Sequence, residues 1–213
     1  VRTLGFNPND IKLVLLTHGH FDHVGGVTWL QKHTNAKFVM TKQGWQESIA
    51  DAKQSQGKPN GWHFPAKADI LVKDGDVLTL GDTTIHAYET PGHTWGTTSY
   101  ALDVKDGDKT YHAITIGGLG LNAIDGPEQV EAYIKSVDRI KSLVARADNP
   151  VTVHLTAHPF STGLSEIRAQ LATHQPGQPH PLDDGKALIK QLDALRAAAV
   201  ERLTVETAKG SKQ

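Results

Sequence analysis

The sequence predicts an α/β sandwich, and three observations carry that expectation. Apolar runs of strand length alternate with segments of helical periodicity along the chain. Histidines and an aspartate stand just past three of those strands, where sites of α/β proteins gather. The 213 residues show no repeat and no linker, and they suffice for one domain, residues 1–213, with a core of its own.

The elements are justified in chain order. Val1 to Gly5 reads as the tail of a helix capped by Gly5, and Asn7 to Asp10 as a turn. Ile11 to Leu16 is the first strand. Asp22 suits the N-cap of the helix expected over Val24 to His33, which begins in spite of Gly25-Gly26. Lys37 to Thr41 is a second strand. Gln43 to Gln56 reads as helical, with Trp45 and Ile49 on one face. Gly57 to Ala68 is a loop rich in Gly, Pro and aromatics; it either overhangs a pocket or is pinned to the surface by Trp62 and Phe64. Ile70 to Val72 and Val77 to Leu80 flank Lys73-Asp74-Gly75-Asp76 and read as a hairpin. Thr83 to Glu89 is a strand, and Thr98 to Val104 pairs with Thr110 to Ile116 about Asp106-Gly107. Pro127 opens a long amphipathic helix with Val130, Ile134, Val137, Ile140 or Lys141, and Val144 at helical spacing. Val151 to Thr156 is the last strand, Leu164 to His174 a short helix, and Leu182 to Thr207 a long final one.

Composition narrows the function. The formal net charge is −1 and the basic residues do not cluster, so nothing favours nucleic acid or an anionic membrane as partner. No apolar run is long enough to span a bilayer. Without cysteine there is neither a disulfide nor a thiolate metal ligand. Twelve histidines are many for this length. Val1-Arg2-Thr3-Leu4-Gly5-Phe6 shows no initiator methionine and no signal peptide, so a fragment or a processed form is expected.

The densest chemistry is Thr17-His18-Gly19-His20-Phe21-Asp22-His23, straight after the apolar run Leu13 to Leu16. Imidazole is the commonest zinc ligand and a carboxylate adds a hard oxygen donor. In extended chain His18 and His20 point the same way, whereas Asp22 and His23 fall on the turn into a helix. One segment can therefore serve two metal positions. A chance polar loop is the competing explanation, but four ligand-type residues at this spacing would be costly to bury unpaired.

His93 follows the strand ending at Glu89, in a loop that Gly92 lets fold tightly; Thr94 is placed to steady its ring. His158 follows the strand ending at Thr156, with Pro159 stiffening the turn. Either alone reads as structural; beside the first cluster both read as ligands. His33, His86, His112, His154, His174 and His180 read as structural or surface residues, and His63 could approach the pocket from its loop without ligating metal.

Thr17 to His23, Thr90-Pro91-Gly92-His93-Thr94, Gly117-Gly118-Leu119-Gly120-Leu121-Asn122 and Ala157-His158-Pro159 together resemble the metallo-β-lactamase superfamily. The resemblance implies a four-layer αβ/βα sandwich of two mixed sheets with metals at one edge. Family members begin with further strands before the first motif, so it also implies one sheet left incomplete. Carried over by residue, it implies two Zn2+ per chain, His18, His20 and His93 holding the first and Asp22, His23 and His158 the second. Ile116 to Gly120 holds no carboxylate or cysteine, which resembles the metallo-β-lactamase subclass whose second zinc takes Asp, His and His. Glycines stand at 117, 118 and 120, in a stretch where that subclass often places serines for the β-lactam carboxylate.

The implied function is a zinc-dependent hydrolase acting on a small-molecule substrate, opening β-lactam rings with hydroxide that zinc makes available near pH 7. Asp22 would orient that hydroxide, and Trp62, His63, Gly118, Gly120 and Asn122 would contact substrate. The alternatives are a hydrolase of the same fold acting on another ester, lactone or thioester, and a metal-binding homologue without catalysis. The resemblance implies a periplasmic or secreted protein.

Overall fold

The computed structural model describes residues 1–65, 67–158, 163–175 and 177–210. Two sheets lie face to face with helices outside each. The smaller sheet is parallel, in the order β1 (Leu13–Leu15), β2 (Lys37–Thr41), β3 (Ile70–Val72). The larger runs β4 (Val77–Leu80), β5 (Thr83–Glu89), β6 (Thr98–Asp106), β7 (Lys109–Thr115), β8 (Val153–His154). It is antiparallel except where β8 joins β7 in parallel. The helices are α1 (Phe21–Val24), α2 (Val27–His33), α3 (Lys42–Ser55), α4 (Pro127–Val144), α5 (Leu164–Leu171) and α6 (Gly185–Gly210).

Three apolar clusters fill the three gaps between four layers. Val39, Val72, Ile85, Ala87 and Tyr100 meet between the sheets, with Leu13, Leu15 and Leu102 against them. Phe38, Met40, Leu16, Val24, Val27 and Trp45 fill the gap between the small sheet and its helices. Ile114, Val130, Val137, Ile140, Leu188 and Leu192 fill the gap between the large sheet and the pair α4 and α6. The alternation along β2 explains how one strand serves two cores: Val39 faces the other sheet, and Phe38 and Met40 face the helices. The expected αβ/βα sandwich is what the chain forms.

Five local expectations are corrected. Ile70–Val72 and Val77–Leu80 are not a hairpin: β3 pairs with β2 in one sheet and β4 with β5 in the other. Lys73 to Asp76 is thus the crossing between sheets, and the hairpin turns at Gly81-Asp82. The helix expected over Val24 to His33 is two helices, broken at Gly25-Gly26. Asp22 does not cap α1; His20 occupies that position without a side-chain bond, and Asp22 lies in the first turn. Residues Arg2–Leu4 form a 3-10 turn rather than the end of an α-helix, although Gly5 does cap it at φ 82°. Helix α3 is capped by Thr41, whose side chain accepts from the Gly44 N–H, so the helix begins one residue earlier than its periodicity suggests. Among the described residues no helix is long and apolar enough to cross a membrane.

Candidate metal centre

The segment after β1 runs along the edge of the sandwich, anchored from both sheets. The Thr98 N–H donates to Thr17 O at 2.8 Å, and the Tyr100 hydroxyl donates to Leu16 O at 3.0 Å. These bonds hold the end of a small-sheet strand against β6 of the large sheet. The side chains of residues 18–23 are thereby presented to the loops after β5 and β8.

Two trios of ligand-type side chains meet there, His18 with His20 and His93, and Asp22 with His23 and His158. Within each trio the candidate ligand atoms lie within 4.8 Å of one another. His93 Nε2 is 3.0 Å from His20 Nδ1, and His23 Nε2 is 3.1 Å from His158 Nε2. Asp22 Oδ2 is 3.3 Å from His23 Nε2 and 3.6 Å from His158 Nε2. The His18 and His23 rings stand 4.0 Å apart between centroids, so the trios are neighbours.

The electrostatics suit a cation. Burial first, then the crowding of His23, His93, His20 and His158, pushes the His18 pKa down to about 2. Burial likewise takes His93 down to about 4, opposed in part by its bond to Gly120 O, and lowers His23 against the pull of Asp22. Near pH 7 these rings are neutral, the form that offers a lone pair to a metal. His93 Nδ1 donates to Gly120 O at 2.6 Å, which leaves Nε2 unprotonated and turned to His20. His18 Nε2 is buried with no hydrogen-bond partner among the described residues. A buried polar atom left so costs about 1–3 kcal/mol, and a bound metal ion removes the deficit. The donor set, four imidazoles in contact plus one carboxylate and a further imidazole, is that of a zinc site.

The remaining expectations fall out differently. The ring of His93 is steadied by Gly120 O, while Thr94 is taken up by Thr97. Gly118, at φ 62°, is packed on the His93 ring: an added Cβ would lie 2.3 Å from His93 Cβ. The absence of a side chain there leaves room for the His93 ring. Trp62 is a buried core residue, edge-on to Phe21 at 5.6 Å, so it brings its loop up to the cluster without opening onto it. The same loop is pinned by Trp45 Nε1 donating to Pro65 O. His63 is exposed, and its carbonyl accepts from Thr28 Oγ1. Asn122 is exposed beyond Gly120. His33 stacks on Trp29 at 4.0 Å, His112 pairs with Asp103, and His154 Nδ1 contacts Gln191. Pro159 lies outside the described residues.

The supports missed by sequence reading are on α4. Gln129 Nε2 donates to Gly92 O at 2.8 Å, the Tyr133 hydroxyl to Leu119 O at 2.7 Å, and Ser136 Oγ to Pro91 O at 2.7 Å. One helix face thus ties down the loop carrying His93 and the loop whose carbonyl orients it. The signal was available: polar residues at i, i+4 and i+7 on the buried face of a helix need partners.

Comparison with known proteins agrees with this geometry. The family model described as the metallo-beta-lactamase superfamily matches residues 1–107, a span that holds five of the six candidate ligands and excludes His158. A hydroxyacylglutathione hydrolase of Rhodopseudomonas palustris is 32% identical over 111 residues, 52% of this chain and 36% of that protein. The chain therefore matches little more than a third of that relative's length. A probable metallo-hydrolase of Bacillus subtilis is 30% identical over 164 residues, 71% of this chain and 76% of that protein. Among solved structures, a subclass B3 metallo-beta-lactamase of Bradyrhizobium japonicum superposes with a TM-score of 0.79 at 31% identity, over 98% of this chain and 78% of that one.

Proposed function

The chain belongs to the metallo-β-lactamase superfamily, and on that premise we propose that it is a zinc-dependent hydrolase that opens β-lactam rings. The observation that carries this reading is the second trio, in which His158 meets His23 across 135 residues of sequence and both meet Asp22. With Gly117 to Gly120 offering no carboxylate, Asp22, His23 and His158 are the ligands available to a second ion. His18, His20 and His93 would hold the first. Bound zinc supplies Lewis acidity and hydroxide at neutral pH, because it lowers the pKa of water from 15.7 to about 7. The chain's own residues do the rest. Gly120 O keeps His93 in the tautomer that presents Nε2. Burial keeps His18 and His93 unprotonated. Asp22 directs Oδ2 at the two histidines of its trio, and its other oxygen, without a hydrogen bond among the described residues, would orient the attacking hydroxide.

Nitrocefin hydrolysis by the zinc-loaded chain, abolished by chelator and restored by zinc, is the expected result. His158→Ala should cut kcat/KM by more than the roughly 10–100-fold that losing a residue behind a metal ligand costs. Zinc-loaded protein without turnover of nitrocefin or any other β-lactam would refute the assignment. A second reading, hydrolysis of an acyl-glutathione or another thioester, is favoured by the hydroxyacylglutathione hydrolase among the relatives. Comparing S-lactoylglutathione with nitrocefin on the same preparation separates the two.

A further inference from the structure

Beside the first trio opens a cleft of about 270 Å3 that shares His20 and His93 with it. Its other walls include Glu47 and Asp51 from α3 and Trp95 from the loop that carries His93. Glu47 and Asp51 are four residues apart, hence on one face of the helix. Both oxygens of Glu47 accept from the Gly96 N–H, at 3.1 and 3.0 Å, and Gln43 Nε2 donates to one of them. These donors are neutral, so the charge is not cancelled. Among the described residues neither carboxylate forms an ion pair, and no lysine or arginine lines the cleft. Trp95 is 49% exposed. A single exposed tryptophan is ordinary on a protein surface. What distinguishes this one is its place: its loop is tied back to α3 through Gly96 and Glu47, and it shares a cavity with two uncompensated carboxylates and two candidate ligands.

We propose that this cleft is a subsite for an ammonium group of the substrate. The face of an indole attracts a cation, and the adjacent carboxylates supply opposite charge without a lysine or arginine paired to them among the described residues. Resting on the hydrolase reading above, the subsite selects substrates that carry an amine on the part lying beside the first trio. The alternative role for Glu47 and Asp51 is as counter-charge to the metal, and the test separates the two.

The probe is benzyltrimethylammonium, whose fixed charge has no lone pair to ligate zinc, added to the full zinc-loaded chain and followed by tryptophan fluorescence and NMR line broadening. Saturable binding is expected, with uncharged benzyl alcohol at least about fivefold weaker. Asp51→Asn should weaken the ammonium by a similar factor; the Asp51 side chain forms no hydrogen bond among the described residues, and the loop is anchored through Glu47, so this variant leaves it in place. Glu47→Gln and Trp95→Ala should act in the same direction. Absent binding, or binding equal to that of benzyl alcohol, overturns the proposal, as does a zinc content that falls in Asp51→Asn while ammonium binding stays the same. A kinetic arm compares ampicillin with benzylpenicillin, which lacks only the amino group. The ratio of their kcat/KM values should exceed one several-fold and approach one in Asp51→Asn; a ratio near one in the parent also overturns the proposal. If neither penicillin is turned over, benzyltrimethylammonium binding alone decides the subsite; the β-lactamase reading falls only if nitrocefin and every other β-lactam are also left intact.

Discussion

At position 118 only a glycine leaves the His93 ring where it is. Its φ of 62° disfavours any side chain, and the space a Cβ needs is taken by the ring itself. Gly118→Ser should therefore destabilise the fold by about 1–3 kcal/mol and weaken zinc binding at the first trio, read by urea unfolding and by competition with a chromophoric chelator. An unchanged zinc affinity would show that the ring has somewhere else to go. A different residue-scale effect is written in His154, buried in β8 with its pKa lowered by burial to about 4, partly opposed by Gln191. The unfolded chain takes up a proton near pH 6.5 and the folded one only near pH 4, so stability is complete above pH 6.5 and falls as pH drops from 6.5 toward 4. The loss saturates below that, at about 3 kcal/mol or less. His154→Gln should flatten this limb of the stability-pH curve. Equal acid limbs in the two proteins would assign the proton uptake to other groups.

At the scale of elements, α4 does two jobs with one face. Val130, Val137, Ile140 and Val144 build the core, while Gln129, Tyr133 and Ser136 hold the site loops. Tyr133→Phe should cost about 1 kcal/mol in urea unfolding, the usual net worth of one buried hydrogen bond. Gln129→Leu should cost about 1–3 kcal/mol, because it leaves Gly92 O buried without its donor. The apolar spacing of this helix was readable from the sequence, as was the proline that opens it. Its polar partners were not, because the carbonyls they bind belong to loops 14 to 45 residues away. Local pattern also misled between Ile70 and Leu80. Two short apolar runs about Asp74-Gly75 have the spacing of a hairpin, but Val72 is buried in the core between the sheets while β4 pairs with β5 through residues Val77 to Leu80. Sheet membership was decided by which long-range partner each run could bury against.

At the scale of the whole molecule, the site exists because the two sheets are clamped where their edges meet. Tyr100, buried between the sheets, donates its hydroxyl to Leu16 O, 84 residues earlier and one residue before the ligand segment begins. Tyr100→Phe should lower stability by about 1 kcal/mol and loosen zinc at both trios together, since the bond it removes holds the strand that delivers four of the six ligands. A metal ion that binds only the folded chain stabilises it by mass action, about 2.7 kcal/mol when free zinc is a hundredfold above Kd. Chelator should therefore lower the Tm, and zinc should restore it. A Tm indifferent to zinc would mean that the six side chains hold no ion.

The sequence by itself determined the layers and the ligand types. Period-two burial in strands, helical spacing, and histidines placed just past strand ends are local properties, written wherever the side chains are. Tertiary structure alone decided that Gly120 O fixes a tautomer, that Trp62 turns inward, and that Glu47 and Asp51 flank Trp95 beside the first trio. Each of these joins residues far apart in the chain, and their positions depend on how two independently patterned sheets stack rather than on the residues next to them.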